Sequence, residues 1–525
     1  MMSNEKMCGG DTVMPIKPED EVNTSSPLGK HESIEDGVVK AIDKDADAAL
    51  QFLSQGTIHI DEETDKRIRR TIDWHIMPWM FGIYMLQYLD KTSLTYAAVM
   101  GIRPDLNINS VQYPWTGSIF YFGYLAFEYP HNRLMQRLPL MKYVSCTVII
   151  WGIVLCCHAG TTNFATLMVA RFFLGALEGS VTAGFVLYTA RFYRSDEQIT
   201  RTSFWFCGNG FASIIGGAIA YGIAKGFAEN PALTFAPWKV IFIITGILTT
   251  MFGIGMLFYL PDSPINAKWL NDADRHLAVE RLRSNQQGIG TKAFKWYQFR
   301  EALTDVRAWL YALVACTTML PAGGFTVFFT LLIQGYGFDS RTTLLLSMPA
   351  GFFQILSNVG LPWIGYKTKN RTLAACCGML GCLFAISLMA GLATGGPTNH
   401  RVGQLVGYYM WLGNSATALI IILSCISTNV AGYTKKTTVN AMVLIAYCVG
   451  FLIGPQTFRD GPYYPDGKYT TIALNIFALG CLIFLYFLNR WENAKSDALQ
   501  LPPQPEEQAF MDLTDRENKY FRYAL

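Results

Sequence analysis

Apolar runs alternate with short polar connections along most of this chain. Many runs have about 20 residues, the length that an α-helix needs to cross a hydrocarbon core about 30 Å thick. The pattern predicts an all-α membrane protein with twelve transmembrane helices in two six-helix halves. The predicted spans are residues 74–97, 113–132, 143–160, 164–188, 202–224, 239–260, 308–334, 342–365, 372–394, 403–428, 437–458 and 470–489.

Lysine and arginine are concentrated in alternate connections between these spans. Short cytoplasmic connections of membrane proteins carry an excess of both residues. The connections after spans 2, 4, 8 and 10 contain eleven of them, whereas the six connections on the other side contain seven. This alternation supports the number of spans and predicts that both termini are cytoplasmic. The eleven residues are Arg133, Arg137, Lys142, Arg191, Arg194, Arg201, Lys367, Lys369, Arg371, Lys435 and Lys436.

Polar segments divide the chain into five predicted parts. Residues 1–70 lack sustained periodicity, which predicts a disordered cytoplasmic N-terminal tail. The central segment 261–307 is a polar cytoplasmic loop between the halves at 71–260 and 308–490, and residues 491–525 form a cytoplasmic C-terminal tail. The loop opens with Pro261-Asp262-Ser263-Pro264, a helix-start signal before a predicted surface helix at 266–284.

Composition excludes several classes of protein. The chain is 51% hydrophobic and only 15% charged, whereas soluble proteins are about 25% charged. The 12 cysteines include no CxxC pair, and the sequence has no HExxH and no GxxxxGK[ST] motif. The sequence therefore gives no sign of a zinc peptidase or an ATP-driven pump. We expect no enzyme, no cofactor and no nucleic-acid partner.

Charged residues inside the predicted spans all lie in the first half. Arg171 and Glu178 belong to one apolar run in span 4, and Asp90 and Lys91 lie in the outer part of span 1. Charges at such depth are costly and usually functional. A fifth, Glu128, lies near the inner end of span 2. The second half has uncharged polar residues instead, among them Asn358, Asn414, Asn429, Asn440 and Gln456.

Helical spacing predicts how these charges pair. Arg171 and Glu178 share one helix face but lie roughly 10 Å apart along the axis, so each needs a partner on another helix. Counting residues places Asp90 about 24 Å from the inner surface, at a level comparable to Arg171. We therefore expect Asp90 to pair with Arg171, and Lys91 to be the nearest cation to Glu178. Protonating both carboxylates would leave two positive charges suited to an anion. Ion pairs that only lock the helices together are the alternative.

Four motifs occur in order along the chain, and span 4 adds an Arg-x-x-x-Gly-x-x-Glu pattern. The motifs are Leu89-Asp90-Lys91-Thr92, Phe127-Glu128-Tyr129-Pro130-His131-Asn132, Leu260-Pro261-Asp262-Ser263-Pro264 and Asn429-Val430-Ala431-Gly432-Tyr433-Thr434-Lys435-Lys436. Together they resemble the anion:cation symporter family of the major facilitator superfamily, and its fungal allantoate and nicotinate permease branch. The resemblance covers about residues 70–490.

The resemblance implies proton-coupled uptake of a small organic anion at the plasma membrane. By motif, Asp90 and Glu178 are the proton sites, and Lys91 and Arg171 their partners. Asn209, in a polar break of span 5, matches a substrate-contacting amide position. Lys91 stands where the family usually has arginine, and Phe451 where this branch commonly has asparagine. Both departures favour a substrate more apolar or aromatic than allantoate.

The sequence therefore predicts a monomeric secondary transporter that moves a small organic anion with protons across a lipid bilayer by alternating access. We expect the substrate between the halves, and the candidate wall residues are Tyr121, Phe329, Trp411 and Asn414. Import and export use the same charges, so a proton-driven exporter of a fungal metabolite is an alternative. A transporter-like nutrient receptor that signals through its tails is another.

Overall fold

The computed structural model describes residues 60–499 and 513–524 apart from 231, 233, 283–293, 369, 395, 397 and 519. Within those residues all regular structure is helical, which confirms the all-α fold class. The first-half helices are α1 (Glu62–Val99), α2 (Ile102–Asp105), α3 (Tyr113–Arg137), α4 (Leu140–Cys157), α5 (Phe164–Phe192), α6 (Ser195–Phe206), α7 (Gly208–Glu229) and α8 (Pro237–Tyr259). The helices that follow are α9 (Asp272–Arg281), α10 (Trp296–Thr304), α11 (Val306–Gly335), α12 (Ser340–Ser347), α13 (Pro349–Thr368), α14 (Arg371–Leu392), α15 (Arg401–Ser415), α16 (Thr417–Asn429), α17 (Tyr433–Ile453) and α18 (Pro465–Ala498).

Ten helical segments among the described residues are long and apolar enough to cross a membrane. They correspond to predicted spans 3–12. The first two predicted spans lie in α1 and α3, which have 38 and 25 residues and so exceed the length of about 20 residues that a crossing requires. The polar and charged residues of these two helices lower their apolar character. The candidate functional residues of span 1 are among them.

The first helix begins earlier than the sequence pattern suggested. Residues 62–70, predicted to end a disordered tail, form the first turns of α1, and residues 1–59 lie outside the described part of the chain. Asp61 caps the helix by accepting a hydrogen bond from the Thr64 N–H at 3.1 Å. Acidic side chains in the first turn stabilise the helix by interacting with the positive end of its dipole. These local signals extend α1 beyond the membrane.

The central loop also departs from its predicted helix. The structure forms a 3-10 turn at Pro264–Asn266, and α9 begins only at Asp272, not at 266. The Ser263 side chain makes no capping hydrogen bond. Asp262 instead accepts a hydrogen bond from the Met141 N–H at 2.7 Å and so holds the loop against the start of α4.

Three spans are each built from two consecutive helices. The predicted polar break of span 5 is confirmed, because α6 ends at Phe206 and α7 begins at Gly208. Span 8 consists of α12 and α13, and span 10 of α15 and α16. Interrupted helices in transporters often lie beside substrate sites.

Helices α1 and α9 and the start of α6 are joined by ion pairs at one end of the bundle, which we call the basic end. Arg281 contacts Asp65 at 2.6 Å and Glu197 at 2.8 Å, and Arg67 contacts Asp274 at 2.6 Å. In the second half the same end carries Arg307 and Lys435. Both α1 and α11 run away from the basic end.

The two halves are joined at the end opposite to these basic residues. Thr95 and Thr330 are hydrogen-bonded at 2.6 Å between α1 and α11. The Ser118 hydroxyl donates to the Leu452 carbonyl at 2.6 Å, which joins α3 to α17. The Tyr113 hydroxyl adds a bond to the Val327 carbonyl at 3.0 Å. These contacts close the interface between the halves at the opposite end.

Candidate functional site

The polar residues of α1 point in two directions. Successive helical residues are rotated by about 100°, so neighbours Asp90 and Lys91 cannot face the same partner. Gln87 and Lys91 are four residues apart and share a face. That face meets α5, where both residues lie beside Glu178.

The structure forms the Lys91–Glu178 pairing that the sequence predicted. The Lys91 Nζ lies 2.7 Å from a Glu178 carboxylate oxygen. The Glu178 side chain is fully buried, whereas that of Lys91 is 17% exposed. Lys91 also lies over the Phe120 ring, 5.7 Å from its centroid. The lysine is therefore the member of the pair that solvent reaches. Its part in proton coupling stays a prediction.

Asp90 and Arg171, which we expected to pair, do not form a direct ion pair. Both carboxylate oxygens of Asp90, and the Nε and one Nη atom of Arg171, are buried without a hydrogen-bond partner. Arg171 lies over the Phe242 ring of α8 instead, at 5.7 Å. The two residues interact electrostatically without contact. Counting along helices matched their depths, but it did not fix the direction in which each side chain leaves its helix.

Glu128 makes a local contact. Its Oε1 atom accepts a hydrogen bond from the Asn132 amide at 3.1 Å, one turn further along α3. This bond is typical of a helix surface and does not connect Glu128 to the four charges above. We call Asp90, Lys91, Arg171 and Glu178 the membrane charge cluster.

Asn209 faces the interior of the protein. Phe211 lies about 200° around α7 from it and is 42% exposed, which marks the outer face of the helix. Ser213 lies one turn beyond Asn209, is buried, and accepts a hydrogen bond through its carbonyl from the Tyr96 hydroxyl. The structure thus directs Asn209 toward the space between the halves.

Two of the predicted wall residues lie at the interface between the halves. Tyr121 of α3 stacks on Phe451 of α17 with ring centroids 4.4 Å apart. Phe329 of α11 meets the Tyr96 ring edge-on at 5.5 Å. Phe451, which the sequence marked as a departure from its relatives, therefore makes an aromatic contact across the interface.

The other two predicted wall residues pack within the second half. Trp411 stacks on Phe325 at a centroid distance of 3.7 Å. The Asn414 amide accepts a hydrogen bond from Ser357 at 3.1 Å and donates one to the Met410 carbonyl at 2.8 Å. The structure does not bring these two residues together with the membrane charge cluster, and their binding role stays a prediction.

Sequence reasoning missed several neighbours of Glu178. Tyr84 and Tyr447 interact with it electrostatically, and so does Tyr121, which the sequence had named as a wall residue but not as a neighbour of Glu178. The spacing of Gln87 and Tyr84 relative to Lys91, four and seven residues, was a signal that could have identified both. Tyr447 comes from α17 and had no comparable signal.

A second group of buried charges lies at the basic end. Lys435 contacts Asp305 at 2.7 Å, Asp515 at 2.7 Å and Glu301 at 2.9 Å. We call these four residues the Lys435 cluster. Burial would raise the pKa of Asp305, but Lys435 and the Arg307 N–H hold it below its ordinary value. Within the described residues, no group of histidine, cysteine and acidic side chains could hold a metal ion.

Comparisons with known proteins identify the family. A family model for the major facilitator superfamily matches residues 80–455. An uncharacterized transporter of Schizosaccharomyces pombe is 39% identical, over 92% of this chain and 94% of that protein. The allantoate permease of Saccharomyces cerevisiae is 35% identical, over 99% and 98%.

Solved structures agree at the level of the fold. A bacterial homologue of the human lysosomal transporter Spinster, in an inward-facing and unoccupied conformation, superimposes with a TM-score of 0.58 at 15% identity. The match covers 82% of this chain and 97% of that one. The predicted resemblance is confirmed, and the chain is a multi-pass membrane transporter, not an enzyme: it belongs to the major facilitator superfamily, alongside fungal transporters such as allantoate permease.

Proposed function

We propose that this transporter moves a small organic anion together with protons by alternating access. The observation that supports this most directly is the fully buried Glu178 paired with the partly exposed Lys91 at 2.7 Å. When Glu178 binds a proton, Lys91 loses its partner and becomes available to an anion. When the anion leaves, the pair re-forms and favours release of the proton. One contact thereby links proton binding to anion binding.

Asp90 and Arg171 are the second carboxylate and the second cation of this proposal. The membrane charge cluster is neutral while both carboxylates are ionised. Burying a charge that no partner contacts is costly. Neither Asp90 oxygen has a partner in standard hydrogen-bond geometry, although the Trp151 indole lies within reach. We propose Asp90 as a second proton site, with Arg171 as the cation whose charge it balances.

The aromatic side chains beside Glu178 favour a flat or aromatic carboxylate as the substrate. Tyr121, Phe451 and Tyr447 form a connected group of rings beside Glu178. Lysine at position 91 offers a single point charge, not the planar fork that arginine presents to carboxylates. A relative is named allantoate permease. We propose a substrate of the nicotinate, pantothenate or allantoate kind, and place nicotinate first because of the rings.

The interface between the halves is closed at the end opposite to the basic end, and this supports the following orientation in the membrane. We propose that the basic end is cytoplasmic, that both termini lie there, and that the structure is open toward the cytoplasm. The two halves at 71–260 and 308–490 would then rock about the central site. Uptake across the plasma membrane by a monomer is the proposed setting, and export remains the alternative direction.

Proton-driven accumulation tests the proposal. The full-length protein is reconstituted into liposomes with the outside more acidic, and radiolabelled nicotinate is supplied outside. Each proton carried with a monoanion allows accumulation of about tenfold per pH unit, since one unit corresponds to about 1.36 kcal/mol. Glu178→Gln cannot release a proton, so we expect it to equilibrate nicotinate without accumulating it.

The controls separate coupling from leak and misfolding. Protein-free liposomes measure passive crossing of the protonated acid. Glu229→Gln makes the same substitution at an exposed glutamate that pairs only loosely with Lys225, at 3.7 Å, and should accumulate like the wild type. Gradient-driven accumulation by Glu178→Gln at the wild-type level would exclude it as the coupling residue.

A further inference from the structure

Helix α13 has a lipid-facing stripe and a polar interior face. Its most exposed apolar side chains recur at intervals of three and four residues, and they are Phe352, Leu356, Val359 and Trp363, each 52–60% exposed. Gln354 and Asn358 lie on the opposite face and are only 3% and 4% exposed. The two amides are one turn apart and therefore point the same way.

Both amides are buried with unused hydrogen-bonding atoms. The Gln354 Oε1 atom and both polar atoms of Asn358 have no hydrogen-bond partner. Leaving such a group unpaired costs about 1–3 kcal/mol. Asn414, on the neighbouring span, shows the contrast, because both ends of its amide bond within the second half. Gln354 and Asn358 are therefore not explained by packing of the half that carries them.

The location of these amides is set by a close helix crossing. A Cβ atom on Gly351 would collide with the Gly210 carbonyl oxygen, so α13 and α7 touch backbone to backbone there. Gly351 precedes Gln354 by one turn, and Asn209 is next to Gly210. Amide residues from both halves consequently surround one crossing, on the side that faces away from lipid.

The crossing lies close to the membrane charge cluster. The Tyr88 side chain of α1, in the first half, lies within hydrogen-bonding reach of the Gln354 and Ser213 side chains. Lys91 follows Tyr88 by three residues, less than one helical turn of about 5.4 Å. A small molecule with its carboxylate at Lys91 would therefore reach the amides with its other end.

Amides both donate and accept hydrogen bonds, which suits a neutral polar group better than a second charge. We propose that Gln354 and Asn358 bind a neutral hydrogen-bonding group of the substrate, such as a ring nitrogen or a carbonyl. They would thereby select carboxylates that carry such a group over those that do not. This inference rests on the proposed function, since it assigns the second contact of the same anion site.

Nicotinate and benzoate form the matched pair of probes, because they differ at the ring nitrogen and share the carboxylate. Uptake of each is measured in proteoliposomes for the wild type, Asn358→Leu and Gln354→Met. Loss of one hydrogen bond to the ring nitrogen, at 1.4 kcal/mol per tenfold, should raise the half-saturation concentration for nicotinate about tenfold. The value for benzoate should stay unchanged. Asn475→Leu is the matched control, since Asn475 is also buried, with an unpartnered amide nitrogen, but belongs to α18.

Each possible result of this experiment either supports or overturns the inference. A nicotinate-to-benzoate ratio that neither variant changes would overturn the inference, and so would an equal loss for both probes, which indicates a packing role. If the wild type transports neither probe, the assignment of an aromatic carboxylate as the substrate fails, and the inference with it. Replacing an unpaired amide by an apolar side chain of similar shape is close to neutral for stability, and Gln354→Met gives an independent reading if Asn358→Leu does not fold.

Discussion

Two buried charge clusters in this chain differ in how well their atoms are satisfied. In the Lys435 cluster one lysine has three carboxylates at 2.7–2.9 Å. Asp515 accepts a further bond from the Tyr523 hydroxyl at 2.9 Å, and Asp305 caps α11. The membrane charge cluster, whose four residues all lie in the described part of the chain, contains one ion pair, between Lys91 and Glu178. The charges of the first cluster are paired in a way that stabilises the fold, whereas the second cluster retains unpaired polar atoms to which protons or an anion can bind.

The position of each cluster agrees with this difference. Lys435, Asp305 and Asp515 join the first turn of α17, the start of α11 and the C-terminal segment at the basic end. That segment is further held by Asn429, whose amide bonds both the N–H and the carbonyl of Ala524 at 2.7 and 2.9 Å. The membrane charge cluster instead joins α1 to α5 beside the interface between the halves. The proposed coupling requires the Lys91–Glu178 contact to break in each transport cycle, and a position beside the interface between the halves suits such a contact.

The largest expected effect is on stability, from Lys435→Met. Removing this lysine takes away the cation that Asp305, Asp515 and Glu301 share, and breaking a buried charge pair costs about 3–5 kcal/mol. We expect a clearly lower thermal unfolding midpoint in detergent, with gradient-driven accumulation retained by the protein that remains folded. Lys436→Met is the control, because Lys436 donates only to the Ser427 carbonyl. Equal midpoints for the two variants would show that the Lys435 cluster does not stabilise the fold.

The sequence predicted the fold and one of the two membrane pairs for physical reasons. Hydropathy and helical spacing determine which residues cross the membrane and at what depth, so Lys91 and Glu178 could be matched. The direction in which a side chain leaves its helix depends on how the helices pack, and this is why Asp90 and Arg171, matched in depth, interact electrostatically without forming a direct ion pair. The Lys435 cluster was missed because Asp515 is 80 residues from Lys435 along the chain. The aromatic residues Tyr520, Phe521 and Tyr523 were a compositional signal that this tail is not fully disordered.

The same substitution in both clusters should separate their roles. Asp305→Asn removes a charge that Lys435 contacts, and a hydrogen bond to a charged group contributes about 1.5–3 kcal/mol, so we expect lower stability with proton coupling retained. Asp90→Asn neutralises a carboxylate that has no hydrogen bond. Its unfolding midpoint should stay or rise, because an unpaired buried charge is costly, while accumulation driven by the pH gradient falls. The measurements are thermal unfolding and nicotinate accumulation on each variant. Loss of stability in Asp90→Asn and loss of coupling in Asp305→Asn would reverse the assignment.

The smallest expected effect is a pH dependence confined to the Lys435 cluster. Lys435 and the Arg307 N–H hold the pKa of Asp305 below its ordinary value of 3.8, despite its burial. A depressed folded-state pKa means that the pairing stabilises the protein fully above the unfolded-state value, and that this stabilisation is lost as pH falls through the folded-state value. The difference in unfolding midpoint between the wild type and Asp305→Asn should therefore be constant from about pH 7 to pH 5 and narrow toward pH 3. Asp272→Asn is the control at an exposed aspartate paired within its own helix. A wild-type advantage that persists unchanged at pH 3 would mean that Asp305 stabilises the fold through its shape and not through its charge.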